Sequence, residues 1–149
     1  EALALKGKAA VANAQLAYEL FLERFRGPRW DALAARGARV QRPLWASTST
    51  KNPTYPDTLY VDTLIAPDTV NTMPEATLEA FEERGTVART ADADLAGAKD
   101  VLGRLAELGI DLDDVTRQLE VEGVASFEKS FDELLASLAD KASSLGGGA

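Results

Sequence analysis

The sequence predicts a helix-rich α/β chain assembled from parallel (β/α) units. Three observations carry this expectation: long stretches with apolar residues at helical spacing, two short apolar runs that each end in a polar loop, and the alternation of the two kinds. With 149 residues, 46% of them hydrophobic, the chain suffices for one domain burying about 70% of its extended-chain surface.

From Ala2 to Phe25, Leu5, Ala9, Ala12, Leu16, Leu20 and Phe21 recur near a helical period, with Lys8, Gln15, Glu19 and Glu23 between them. One long helix with one buried face is expected. Gly27-Pro28 stops it, and Trp30 to Ala35 forms a short second turn before Gly37; Tyr18 and Trp30 serve as interhelix anchors. Val40 to Ala46 reads as a strand entering a polar loop, although Pro43 removes one ladder amide. Asn52-Pro53 and Tyr55-Pro56 favour turns. Thr58 to Ile65 suits a short helix or a strand. Thr69 to Met73 is the second strand, and Pro74 begins a helix that Glu75, Leu78 and Phe81 continue and Gly85 ends.

After Asp92, the stripe Leu95, Ala98, Val101, Leu102, Leu105 and Leu108 makes a helix that Gly109 terminates. Asp111 is placed to cap the next helix, with Asp113 and Asp114 against its positive end. Gly123 is expected to break or bend the chain before a last amphipathic helix anchored by Phe127 and Phe131. Ser143 to Ala149 is glycine-rich and reads as a fraying tail. The expected organisation is thus one domain over residues 1–142 and a flexible tail over 143–149. Two clear strands do not close a barrel.

Composition narrows the function. Sixteen basic against twenty-four acidic residues give a net charge of −8, which disfavours nonspecific attraction to nucleic acid while allowing a local cationic pocket. Cys and His are both absent, so disulfides, the usual zinc ligands and histidine-based triads lose their residues. A reducing, cytoplasmic setting fits. No leader or membrane-spanning apolar run is read, so no membrane partner is expected; Glu1 in place of an initiating Met reads as processing or a cut from a longer chain.

The residues able to carry chemistry cluster where the two strands end. Ser47, Thr48, Ser49, Thr50 and Lys51 place hydroxyls and one ammonium just beyond the first strand, suited either to an anionic, oxygen-rich ligand or to a solvated turn. Lys51 would form a Schiff base only if burial or a neighbouring cation supplied free amine, and Lys8 reads as surface charge. Asn71 and Thr72 end the second strand, where they can orient a sugar hydroxyl or satisfy the strand itself. Trp45 reads as core or as a ligand wall. Arg42 reads as a salt-bridge residue, and Asp57, Asp62 and Asp68 as caps or surface carboxylates. No glycine-rich phosphate loop or dinucleotide fingerprint is present.

The phrases Arg42-Pro-Leu-Trp-Ala-Ser-Thr48, Lys51-Asn-Pro53, Pro67-Asp-Thr-Val-Asn-Thr-Met-Pro-Glu-Ala-Thr-Leu78 and Glu122-Gly-Val-Ala-Ser-Phe-Glu-Lys-Ser-Phe-Asp132 together resemble the carboxy-terminal part of long-form bacterial transaldolases. Gly7 to Tyr18 resembles the helix before that region. The resemblance implies an incomplete late portion of a (β/α)8 TIM barrel. The whole enzyme would pass a dihydroxyacetone unit between sugar phosphates of the pentose phosphate pathway through a lysine Schiff base, with no metal or organic cofactor. It implies Ser47, Ser49, Lys51, Asn71 and Thr72 as substrate-binding residues: Ser47 matches the serine at the seventh strand, Lys51 stands near the family's phosphate-binding basic residue, and Asn71 and Thr72 match the last strand.

In the family the Schiff-base lysine lies on the fourth strand, its Asp on the first and its Glu on or just after the third, all upstream of this region. None of Lys6, Lys8 or Lys51 matches that context, so no catalytic residue is expected in this segment. The implied partners are sugar phosphates and either a complementary amino-terminal segment or a second copy. The alternative is a catalytically inactive module that binds a sugar phosphate or a protein.

Overall fold

The computed structural model describes residues 2–146. They form two compact units, residues through Leu108 and residues from Gly109 onward.

The first unit opens with a 3-10 turn, Ala2–Leu5, and passes through Gly7 into α1 (Ala9–Arg24). The single long helix expected here is divided because Gly7 has φ +77°, a left-handed backbone that glycine adopts without a side-chain clash. A Cβ there would also lie 3.3 Å from the Tyr55 ring. α2 (Pro28–Ala34) places Pro28 where a helix leaves its first amide unpaired. Phe25 meets the Trp30 ring edge-on with centroids 4.7 Å apart, so Trp30 anchors α2 to the end of α1 as expected.

β1 (Leu44–Trp45) and β2 (Val70–Asn71) lie side by side in parallel, Leu44 opposite Val70 and Trp45 opposite Asn71. The parallel (β/α) pattern is therefore present in a helix-rich chain, but both strands are shorter than Val40–Ala46 and Thr69–Met73 predicted. The cause is visible at their ends. Val70 and Thr72 donate their amides to the carbonyls of Pro43 and Trp45, each at 2.9 Å; Pro43 can accept but cannot donate. Ser47 at φ 56° and Asp68 at φ 60° then turn the chain out of extended backbone.

The connection contains α3 (Leu59–Asp62), so of the helix and strand open to Thr58–Ile65 a single helical turn forms within it. Thr58 Oγ1 donates to Asp62 Oδ2 one turn on at 2.6 Å, and Val61 and Leu64 are buried. α4 (Glu75–Arg84) follows Pro74 and ends at Gly85. α5 (Leu95–Glu107) is capped by Asp94, whose Oδ1 accepts the Gly97 amide at 2.8 Å. α1 and α5 pack together with Ala12 and Ala98 buried, and Lys99 Nζ reaches Glu19 Oε1 at 2.8 Å.

Tyr18, Phe21, Trp45, Leu64 and Ala91 form the core cluster. Its two polar tips are satisfied: Tyr18 Oη donates to the Pro67 carbonyl at 3.1 Å and Trp45 Nε1 to the Leu64 carbonyl at 3.0 Å. Trp45 is therefore core, and it ties β1 to the end of α3.

The second unit is one helix, α6 (Leu112–Gly146). Asp111 caps it as expected, its Oδ1 accepting the amides of Asp113 and Asp114 at 2.9 and 3.3 Å. Gly123 neither breaks nor ends it, because a lone glycine weakens a helix without preventing its hydrogen bonds. Phe127 and Phe131, expected as buried anchors, are 81% and 59% exposed: among the described residues of this unit no second element covers the apolar face. The glycine-rich stretch expected as a tail from Ser143 is helical through Gly146, and residues 147–149 lie outside the described residues.

Candidate functional site

The two parallel strands run out on the same side, which brings the loop after β1 against the end of β2. Thr48 makes the join. Its hydroxyl lies 2.8 Å from Asn71 Oδ1 and 2.9 Å from the Thr72 carbonyl oxygen. It has one hydrogen to donate, so the two acceptors share it. The Asn71 amide is oriented from its other end, where Nδ2 donates to the Tyr60 carbonyl at 3.2 Å. A flipped amide would set two oxygens face to face there, so Oδ1 faces Thr48.

Thr72 closes the strand. Its amide and its hydroxyl both donate to the Trp45 carbonyl, at 2.9 and 3.3 Å. Asn71 and Thr72 thus satisfy strand ends, Asn71 half-buried and Thr72 exposed.

Ser47 is exposed between the two anchored residues Trp45 and Thr48. Its left-handed backbone costs a non-glycine residue about 1–2 kcal/mol, which the flanking hydrogen bonds offset. Further along, Lys51 Nζ donates to Ser49 Oγ at 2.8 Å, with Ser49 half-buried and Lys51 exposed. Asn52 Oδ1 accepts both the amide and the hydroxyl of Thr54, at 3.0 and 2.8 Å, which holds the turn that follows. The loop therefore offers one ammonium, the Ser47 and Ser49 hydroxyls and, beside them, Asn71 and Thr72. Such a set can neutralise and hydrogen-bond an oxyanion.

Of the other residues singled out in the sequence, Asp57 and Asp62 have structural partners, whereas Arg42 lacks the salt bridge expected of it among the described residues. Asp57 pairs with Arg84, whose guanidinium hydrogen bond holds the Asp57 carboxyl below the usual range. Asp62 accepts from Thr58 and, through Oδ1, from the Thr86 amide at 2.8 Å. Arg42 lines a shallow groove with Leu20, Phe25 and Leu44, and makes no ion pair among the described residues. Lys8 borders a groove of about 420 Å³ between α1 and α5, with Asp94, Asp100 and Arg104 on its rim and none of the five candidate residues. Among the described residues no cluster of acidic side chains could hold a metal ion, and no helix is long and apolar enough to cross a membrane.

Sequence reading counts Thr48 among the loop hydroxyls but does not single it out as the residue that joins the two loops. A run of four consecutive hydroxyl residues shows no polarity contrast, so nothing in it marks which one turns inward. The buried Trp45 three residues earlier is the nearest signal.

Comparison with known proteins supplies the chemical context. The sequence profile of the Transaldolase/Fructose-6-phosphate aldolase family matches residues 1–138. The chain is 60% identical over 136 residues to a transaldolase of Parafrankia sp., covering 91% of this chain and 37% of that protein. It is 60% identical over 139 residues to a transaldolase of Acidothermus cellulolyticus, covering 93% and 37%, and 58% identical over 136 residues to that of Mycolicibacterium smegmatis, covering 91% and 37%. The chain thus spans 37% of the length of these relatives.

Proposed function

We propose, from the premise that this chain belongs to the transaldolase/fructose-6-phosphate aldolase family, that it forms the late portion of a (β/α)8 barrel and provides the phosphate-facing wall of a transaldolase site. The observation that supports the proposal is that Thr48, in the loop after β1 that carries Ser47, Ser49 and Lys51, bonds across to Asn71 and Thr72 at the carboxyl end of the parallel neighbour β2. That end of the strands is where barrels of this kind place their ligands.

The reaction begins on a lysine of an upstream segment. Its amine condenses with the ketose phosphate carbonyl, releasing water and giving a protonated imine. The bond between the third and fourth sugar carbons then breaks as an upstream carboxylate takes the fourth-carbon hydroxyl proton. Its electron pair flows into the imine, and an aldose phosphate departs. The enamine left behind attacks the aldehyde of a second aldose phosphate, and water releases the new ketose. Ser47, Ser49 and Lys51 hold the phosphate of the donor ketose until the aldose phosphate departs, and then that of the acceptor aldose, while Asn71 and Thr72 line the wall beside the sugar. Binding energy at the phosphate thereby positions the reacting carbons.

Lys51 is exposed and donates to Ser49, and as a compact point charge at the loop it serves as a phosphate cation. A second reading follows from the same observation: alone, the chain binds a sugar phosphate without turning it over.

The experiment is borohydride trapping with fructose 6-phosphate. The chain alone gives no reduced adduct, and the chain joined to the upstream segment gives one on an upstream lysine. An adduct on Lys51 or Lys8 of the isolated chain would overturn the assignment.

A further inference from the structure

Ser47 sits between two residues fastened to the same dipeptide. On one side the Trp45 carbonyl accepts both the amide and the hydroxyl of Thr72; on the other the Thr48 hydroxyl bridges Asn71 Oδ1 and the Thr72 carbonyl. Thr48 is only 3% exposed, so water does not substitute for its hydroxyl. Ser47 and Asp68 are the non-glycine residues with positive φ among those described, and only Ser47 lies in the loop that carries the ammonium and the serine hydroxyls.

We propose that Thr48 is a positioning residue: it holds Ser47 left-handed and so fixes the Ser47–Lys51 loop in its phosphate-accepting form. The inference rests on the function proposed above and assigns a part to a side chain that need not touch the ligand. Without the Thr48 hydroxyl, Asn71 Oδ1 and the Thr72 carbonyl lose their shared donor. Asn71 remains tied to Tyr60 and cannot swing its amide to compensate. The carbonyl of Trp45 stays anchored, so the freed segment begins at Ser47, and Ser47 relaxes toward an ordinary backbone.

The consequence is selective. A phosphorylated ketose depends on the loop for its phosphate, whereas unphosphorylated fructose reacts at the same carbons without it. Measured on this chain joined to its upstream segment, Thr48→Val keeps the side-chain shape and removes the donor. It should raise KM for fructose 6-phosphate about tenfold while changing that for fructose less than about twofold. Thr48→Ser restores the hydroxyl and should return KM to within about threefold of the parent.

Thr58→Val removes an equally buried hydroxyl whose partner is Asp62; it controls for general loosening and should leave the substrate ratio unchanged. Backbone couplings of Ser47 should leave left-handed values in Thr48→Val alone. An unaltered KM for fructose 6-phosphate, equal losses on both sugars, or the same change in Thr58→Val would each overturn the role of Thr48. A parent enzyme with no preference for the phosphorylated sugar would instead remove the function on which the inference rests.

Discussion

Asp92 shows how much a single side chain contributes to the fold around the site. The Arg89 guanidinium donates through Nε to Asp92 Oδ1 at 2.8 Å and through a terminal nitrogen to Oδ2. That hydrogen bond, against an opposing effect of burial, holds the Asp92 carboxyl below the ordinary aspartate range. The pair sits beside Ala91, a core residue, and precedes the cap of α5. A carboxyl whose folded pKa is depressed stabilises the native state at pH values above its unfolded pKa, and this contribution fades as the pH falls through the folded value. Asp92→Asn should therefore flatten the decline of melting temperature between about pH 5 and pH 2, with little change in slope near neutrality. An acid limb as steep as the parent's would show that the pair does not stabilise the fold. The same residue illustrates what a sequence conceals. Asp92 and Asp94 both precede the apolar stripe, and only geometry decides that Asp94 caps the helix while Asp92 answers an arginine.

At the scale of elements, α6 tests the difference between propensity and packing. Gly123 lies inside a continuous helix, and a Cβ added there would meet no atom within 4 Å beyond the backbone of its own helical turns and its two neighbours. Gly123→Ala should stabilise α6 by about 1 kcal/mol, read as higher helicity and a later melt by circular dichroism. A loss of helicity would mean instead that the backbone needs glycine there, as a bend would require. Periodicity made the helices legible: the stripe read from Ala2 to Phe25 contains α1 (Ala9–Arg24), the stripe from Leu95 to Leu108 coincides with α5 (Leu95–Glu107), and the punctuation at Gly27-Pro28, Pro74 and Gly109 corresponds to observed boundaries or turns. The strands were legible in place and direction but not in length, because their limits depend on which carbonyls Val70 and Thr72 find across the sheet. The break at Gly7 was equally hidden, since a glycine within a helical period reads the same whether its φ is negative or +77°.

At the scale of the whole molecule, the site candidates were legible as a loop but not as a network, because Thr48, Asn71 and Tyr60 meet only after α3 has carried the chain back to the sheet. What that sheet lacks is also informative. The carbonyls of Pro43, just before β1, and of Trp45 within it face β2, so in a parallel ladder the backbone of Leu44 faces the opposite edge. Its side chain is 54% exposed, in a groove with Leu20 and Phe25, and Leu20 is itself 49% exposed. An open edge beside apolar surface is suited to another strand. Relatives extend well beyond the 37% of their length matched here, and on the function proposed above the expected occupant of this edge is an upstream segment of the same family. Mixing the separately produced upstream segment with this chain should then restore transaldolase activity. Leu44→Glu should cut the recovered activity at limiting concentrations about tenfold or more by burying a charge at the new contact, while the circular dichroism of the chain alone stays unchanged. Undiminished recovery with Leu44→Glu would place the junction elsewhere, and a parent chain that forms stable dimers through Leu44 would make a second copy the occupant.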